Sequence, residues 1–327
     1  MSEVSEGIIL ILIAAFFQGT YALFLKFMNC WKWENFWTVF SFISLVISPV
    51  LLCSILVPNF IIILASSSVN TIAISFSCGI LWGIGSVLFS LSIMRIGLAL
   101  TYSLIIGLTA SIGSLLPLLL DASLAPSVLL FFVLGILAMF IGLAFSAYAG
   151  MKREKLQKTK EFKIGLVLAL ISGLTSPMLN LGFVSGNSIL KTAQALGISI
   201  FASLPIWIVV LLGGFVANFG YAAYLLIKAK SFHLFAQKTS TNLVFSAASG
   251  VFFFSGLVIY GVASSIIEKL GSSIGWAVLM SLMIVISNLT SVIIGEWKNS
   301  RKALRYQVIS ISILVLGITI MSMSFYF

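Results

Sequence analysis

The chain has 327 residues, 61% of them hydrophobic and only 8% charged, with a formal net charge of +10. A soluble domain carries about 25% charged residues, so this composition, with a mean hydropathy of +1.21, excludes a water-soluble enzyme and requires most of the chain to face lipid. A positive excess of this size would suggest nucleic acid in a soluble protein; here the distribution of the charges gives it a different meaning.

A helix needs about 20 apolar residues to cross a bilayer. Apolar runs separated by polar and helix-breaking residues predict ten such helices, over roughly 7–27, 36–57, 71–94, 97–120, 127–149, 164–184, 200–227, 243–265, 272–295 and 305–326. Glu3 and Glu6 stand before the first run, where a secretory signal carries Lys or Arg, so that run is expected to remain as a span. Pro58-Asn59 closes span 2, Asp121 to Pro126 separates spans 4 and 5, and the charged run from Lys152 to Lys163 separates spans 5 and 6.

Sixteen of the eighteen Lys and Arg residues fall in the loops after spans 1, 3, 5, 7 and 9: Lys26 and Lys32, Arg95, the run Lys152 to Lys163, Lys228, Lys230 and Lys238, and the cluster from Lys298 to Arg305. Only Lys191 and Lys269 fall on the other side. Cytoplasmic loops carry the excess of Lys and Arg, so both termini are expected outside, in a bacterial cytoplasmic (inner) membrane. The net charge is a topology device.

The basic linker 150–163 divides the chain into 1–149 and 164–327, with five spans each. An odd number of spans per half gives the halves opposite orientation, the signature of inverted repeats. Residues 7–21, GIILILIAAFFQGTY, and 165–179, GLVLALISGLTSPML, both open on Gly and place Gln18-Gly19 opposite Ser176-Pro177. Inverted repeats rock about a midplane site. The expected fold is therefore an all-α integral membrane protein of two inverted five-helix repeats, and the expected class is a transporter.

No residue set supports enzymatic or metal chemistry. Cys30, Cys53 and Cys78 lack metal-ligand spacing and are expected to be reduced. The single histidine, His233, sits in a basic loop, Gly83-Ile84-Gly85 completes no nucleotide-binding pattern, and there is no P-loop for a primary pump. Neither a metal nor a cofactor is expected. Gly79-xxx-Gly83 and Gly182-xxx-Gly186 are spaced for close helix approach.

The informative residues are neutral and lie near the membrane centre. Gln18 and Tyr21 share a face of span 1, Trp82 and Ser86 are one turn apart in span 3, and Asn180 lies one turn past Ser176 beside Pro177. Trp207 and Asn218 are in span 7, Tyr260 in span 8, Trp276 and Asn288 in span 9. Leaving such a group unpaired in lipid costs a few kcal/mol. Each therefore either binds a neutral sugar, amides and hydroxyls to its hydroxyls and aromatic faces to its C–H surface, or bonds a neighbouring helix for about 0.6 kcal/mol. Trp276 also fits an interfacial aromatic belt.

Several strings, in order along most of the chain, resemble the L-rhamnose–proton symporter family of the drug/metabolite transporter superfamily. They are Trp31-Lys32-Trp33-Glu34-Asn35-Phe36-Trp37, Leu56-Val57-Pro58-Asn59-Phe60, Trp82-Gly83-Ile84-Gly85, Met94-Arg95-Ile96-Gly97, Gly107 with Thr109 and Gly113, Ala195-Leu196-Gly197, Leu204-Pro205, Gly213-Gly214, Asn218-Phe219-Gly220 and Glu296-Trp297-Lys298-Asn299. The resemblance implies sugar import driven by protons through a central site. It also implies an Asp near the outer start of span 9 and polar residues within spans 3, 8 and 9; here those stretches read Ser272-Ser273, Ser86, Gly256 and Leu279. No acid lies near a span centre, so the candidate proton carriers are Glu268 and Glu34 at helix ends, while Glu296 is expected to anchor Lys298 or Arg95. The expected partners are a small neutral sugar or related metabolite, protons, the bilayer and, as an open alternative, a second copy of the chain in a homodimer; no nucleic acid is expected. An exporter, facilitator or exchanger of another small metabolite remains the alternative function.

The topology yields the first prediction. In a background free of native cysteines, an impermeant thiol reagent applied to whole cells should label Ser5→Cys and spare Lys158→Cys. Labelling of the second position from outside would reverse the orientation and remove the basis for inverted repeats.

Overall fold

The computed structural model describes residues 3–96, 98–119, 126–154, 160–267, 271–293 and 300–323. All regular structure among them is helical. The elements are α1 (Glu3–Thr20), α2 (Trp33–Phe42), α3 (Ser48–Leu56), α4 (Phe60–Ala65), α5 (Val69–Ile96), α6 (Leu98–Leu119), α7 (Pro126–Glu154), α8 (Lys160–Thr175), α9 (Met178–Ser185), α10 (Asn187–Ala195), α11 (Leu204–Lys228), α12 (Thr239–Ile267), α13 (Trp276–Ile293) and α14 (Arg301–Ser322). Eight stretches among the described residues are long and apolar enough to cross a membrane: Ser5–Phe27, Trp33–Leu56, Val69–Ile93, Ser127–Lys152, Lys160–Ala195, Leu204–Lys228, Thr239–Ile267 and Arg301–Met321. Trp276–Thr290 is a shorter apolar helix, and α6 is an apolar helix of 22 residues.

The irregular turns have local causes. Pro49 has no N–H to donate back along the chain and its ring crowds the preceding turn; a π-helical turn, Ile43–Ile47, absorbs the mismatch between α2 and α3. Pro177 likewise ends α8 at Thr175 and restarts the helix at Met178. α1 loosens into a 3₁₀ turn over Tyr21–Phe27. The segment after residue 184, which the sequence pattern leaves as a loop, is helical: α10 buries Ile189 and Ala193, spaced i, i+4, and exposes Asn187, Lys191 and Gln194. Its single narrow apolar stripe is too short for a span.

The bundle inverts the polarity of a soluble protein. Phe16, Leu51, Ile55, Leu137, Val216 and Leu316 are exposed, whereas Gln18, Asn35, Asn180, Asn218 and Asn242 are buried. Lipid covers the first set and helix-to-helix hydrogen bonds satisfy the second.

The closest packing is between α5 and α11, α1 and α12, α5 and α8, and α7 and α14. Glycine permits the first. A Cβ on Gly79 would overlap the Val210 carbonyl and lie 3.2 Å from the Gly213 Cα, and one on Gly213 would overlap the Phe76 carbonyl. In the second small-residue pair, a Cβ added to Gly182 would lie 3.1 Å from Cys78 Cβ, and one added to Gly186 would lie 3.0 Å from Ile206 Cγ1.

Because Gly79 meets backbone, no rotamer change can relieve a larger residue there. Gly79→Val should cost about 1–3 kcal/mol or more and lower the folded, monodisperse yield in detergent several-fold. Gly220→Ala, with nothing within 4 Å of its added Cβ, should leave that yield unchanged.

Candidate substrate site

At the centre of the bundle lies a small cavity of about 70 Å³. α1 contributes Gln18 and the following 3₁₀ turn Tyr21; α2 contributes Trp37 and Phe40; α5 contributes Trp82, Ser86 and Phe89. Ile105, Ile106 and Thr109 of α6, Leu179 of α9, Phe253 of α12 and Trp276, Met280 and Met283 of α13 complete the wall. Ser176 reaches it from the break that Pro177 imposes between α8 and α9.

One side of the cavity is an aromatic basket. Trp82 stacks on Phe253 at 5.8 Å and 16°, and Phe253 meets Phe40 at 5.7 Å and Tyr21 at 5.3 Å. Tyr21 stacks on Phe40 at 6.0 Å, and Phe40 lies 4.7 Å from Trp37. Each ring holds the next, so the apolar faces are fixed before any ligand arrives.

The polar groups are an amide and hydroxyls. Gln18 Nε2 donates to the Phe253 carbonyl at 2.9 Å. It reaches that carbonyl because residue 256 is glycine: a Cβ there would lie 2.6 Å from Gln18 Cγ. Span 8 thus carries no polar side chain at Gly256 because the α1 amide fills the space. Thr109 uses its hydroxyl on the Ile105 carbonyl at 2.7 Å, while its own carbonyl accepts from Trp276 Nε1 at 3.3 Å. None of the lining residues is Asp, Glu, Lys, Arg or His. A charged solute would meet no counter-charge here and would lose its hydration uncompensated.

Five residues singled out in the sequence meet at this cavity: Gln18, Tyr21, Trp82, Ser86 and Trp276. The others lie behind it. Asn218, fully buried, accepts from Trp37 Nε1 at 2.9 Å and donates to the Gly214 carbonyl at 2.9 Å, so it orients a wall residue from the second layer. Asn180 Nδ2 donates to the carbonyls of Gly113 and Ser272 at 2.9 and 2.7 Å, and its Oδ1 accepts from the Tyr260 hydroxyl at 2.9 Å. Trp207 stacks on Phe183 at 4.6 Å. Asn288 is half-buried about three turns past Trp276 on α13 and is not part of the wall. Glu34 is buried away from the cavity, its Oε1 accepting from Ser231 at 2.6 Å, while Asn35 Nδ2 donates to the Ser231 carbonyl at 3.0 Å. Glu268 and Glu296 lie outside the described residues. Arg95 pairs with Glu161 at 3.3 Å across α5 and α8.

Four of the wall residues that sequence reasoning missed are aromatic: Trp37, Phe40, Phe89 and Phe253. Trp37 and Phe253 sit in aromatic-rich runs, Trp31 to Trp37 and Phe252 to Phe254, where hydrophobicity does not separate a lipid-facing ring from a cavity-facing one. The available clue was helical phase: Trp37, Phe40 and Ser44 fall on one buried stripe.

A helical bundle with a lipid-facing exterior, bonded amides inside and a neutral aromatic cavity at its centre defines a multi-pass membrane protein of the transporter class. The comparisons narrow that class. The chain belongs to the L-rhamnose-proton symport protein (RhaT) family, whose pattern it matches over residues 1–325. It is 27% identical over 311 residues, 90% of either chain, to the L-rhamnose-proton symporters of Yersinia pestis (strain Pestoides F) and Yersinia pseudotuberculosis serotype O:1b (strain IP 31758). To that of Shigella boydii serotype 18 it is 26% identical over 316 residues, 91% of either chain.

The Gln18–Gly256 fit makes an indirect prediction. Gly256→Ala places no atom that a ligand needs, yet it must displace Gln18. It should lower the uptake of radiolabelled L-rhamnose into sealed vesicles about as much as Gln18→Ala does, on the order of 10-fold for one hydrogen bond of roughly 1–1.5 kcal/mol. Membrane levels of both variants should match the unmodified protein. Normal uptake by both would remove Gln18 from the site.

Proposed function

We propose that the chain is a secondary transporter of the bacterial inner membrane that imports a neutral, rhamnose-like sugar with protons by alternating access. It does so through ten spans, with 1–149 and 164–327 as inverted repeats, the linker 150–163 in the cytoplasm and both termini outside. The observation that carries this reading is the uncharged cavity, in which fixed aromatic faces oppose Gln18, Ser86, Thr109, Ser176 and Tyr21. Ring faces suit the C–H surface of a pyranose, and the amide and hydroxyls suit its hydroxyl groups.

Helix pairing supports the inverted repeat. α1, α2–α3, α5, α6 and α7 stand as spans 1 to 5, and α8–α9, α11, α12, α13 and α14 as spans 6 to 10. Exchanging the two sets then carries the principal contacts into one another or, as for α7 with α14, onto themselves. α1 packs on α12 and α13, and α8–α9 pack on α5 and α6. α2 packs on α12 as α11 does on α5, and α6 packs on α7 as α13 does on α14. The first helix of each set also loses regular α geometry at cavity depth, at Tyr21 and at Ser176-Pro177. Interrupted helices of this kind accompany midplane sites in transporters.

Proton coupling requires a group that gains and loses a proton during the cycle, and in this reading Glu34 and Glu268 are that group's candidates. A second reading, a facilitator or exchanger, is favoured by one observation: the cavity wall holds no carboxylate or imidazole. Accumulation decides between them. One charge moving inward at about 100 mV supplies roughly 2.3 kcal/mol, enough for roughly 40-fold accumulation of a neutral solute. Proteoliposomes under an imposed inward proton gradient should accumulate L-rhamnose above equilibrium, and Glu34→Gln or Glu268→Gln should abolish accumulation while sparing exchange. Equilibration without accumulation in the unmodified protein would reject symport in favour of the second reading.

A further inference from the structure

A second chamber, of about 400 Å³, lies beyond the central cavity. α9, α10, the start of α11, the end of α12 and the π-turn before α13 enclose it. Its polar lining, Asn187, Gln194, Ser264, Ser265 and Ser272, is again uncharged and again made of amides and hydroxyls.

A single layer of side chains separates the two spaces. Leu179 faces the central cavity, and Phe183, one turn further along α9, faces the chamber. Trp276 faces the cavity, and Ser272, four residues earlier, faces the chamber. Asn180 and Tyr260 lie between, both with zero exposure. The Asn180 amide donates to the Gly113 and Ser272 carbonyls and accepts from the Tyr260 hydroxyl. Trp276 meets the Tyr260 ring edge-on at 5.3 Å and donates to the Thr109 carbonyl at 3.3 Å. The layer thereby ties α6, α9, α12 and the head of α13 together across the path between the two spaces.

We propose that Asn180, Tyr260 and Trp276 form a gate of the transport path, closed in this structure, and that the chamber beyond is the approach path for a neutral polyhydroxylated solute. This rests on the central cavity being the transport site. A counterpart at the opposite end of the cavity strengthens it. Exchanging the two halves carries α12 to α5 and α13 to α6. Tyr260 of α12 and Phe89 of α5 each meet an aromatic ring of the next long helix. Phe89 meets Tyr102, near the start of α6, edge-on at 5.0 Å and 71°, as Tyr260 meets Trp276 at 66°. Phe89 and Trp276 both line the central cavity. The two aromatic pairs therefore bracket it.

The ends differ in what holds them. Matching Gln18 to Ser176 sets Ala22 opposite Asn180, and Phe89, opposite Tyr260, has no hydroxyl. The Asn180–Tyr260 hydrogen bond thus has no counterpart at the matching positions Ala22 and Phe89. Breaking it should open that end and shift the protein away from the opposite opening, because an alternating carrier exposes one side at a time.

The test uses the full-length protein with Cys30, Cys53 and Cys78 replaced by Ala and Ser86→Cys added as a reporter in the cavity. An impermeant maleimide is applied from the chamber side in vesicles of one orientation and from the other side in inverted vesicles. Tyr260→Phe removes one hydroxyl and keeps the ring; Asn180→Ala removes the whole lock. Tyr260→Phe should speed labelling from the chamber side about five-fold, the population shift expected from one buried hydrogen bond, and Asn180→Ala should speed it more. Labelling from the opposite side should slow. Unchanged rates in both variants, or faster labelling from both sides as a merely loosened bundle would give, overturn the gate. The readout needs no sugar, so absence of L-rhamnose uptake by the unmodified protein would reject the transport reading and leave the labelling to judge the gate separately.

Discussion

Lipid offers no hydrogen bonds, and that constraint organises this protein. Most amides and hydroxyls drawn into the bundle find a partner on another helix or on their own backbone; the Ser41 and Thr101 hydroxyls and Gln307 Nε2 are exceptions among the described residues. Gln18 therefore reaches from α1 to a carbonyl of α12, Asn218 of α11 takes the Trp37 indole of α2, and Asn180 of α9 ties three neighbours at once. At the end of the bundle where α2 meets the 228–242 region, the same rule applies. Asn242 exchanges hydrogen bonds with the backbone of Asn29, and Trp31 donates to the Gln237 carbonyl. Glycine supplies the complementary condition. Where Gly79, Gly213 and Gly256 replace larger residues, backbones or an amide come close enough to complete these contacts.

The helical, membrane-spanning character was legible because it rests on period and length. The apolar runs correspond to helices, Pro58-Asn59 and Pro177 fall at breaks, and both small-residue pairs fall at close helix contacts. The site was legible in part. Gln18, Trp82 and Ser86 could be found because an amide and a Trp–Ser pair at mid-span need a reason. Asn180, Asn218 and Tyr260 met the same criterion, yet they use their polar atoms on one another, on the Trp37 indole and on backbone. A single sequence cannot distinguish an amide that faces a cavity from one that bonds a helix, since both answer the same cost of burial. Trp37, Phe40 and Phe253 were hidden for the opposite reason: in a membrane protein an aromatic ring needs no explanation.

α10 illustrates a further limit. Its residues are too polar for a span and too few for a conspicuous amphipathic period, so a loop is the economical expectation. The structure makes it a short helix seated on Ile189 and Ala193, and its exposed Asn187 and Gln194 line the second chamber. What fixes this helix is tertiary contact with α9 and α11, which propensity alone does not encode.

The strength of the contacts around the cavity suits a moving carrier. Hydrogen bonds between membrane helices average about 0.6 kcal/mol, so the four made by Asn180, Tyr260 and Trp276 together amount to about 2 kcal/mol, a population bias of roughly 30-fold. In the proposed gate, a bias of that size would hold one end closed at rest and still lie within reach of the differential binding energy of a small solute. A buried ion pair in the same layer would behave differently, since separating its members would expose two uncompensated charges to a low dielectric. The neutrality of the wall and of the lock thus follow from one requirement. For the proposed path, which would close without water and reopen in each cycle, amides, hydroxyls and ring edges are better suited than charge.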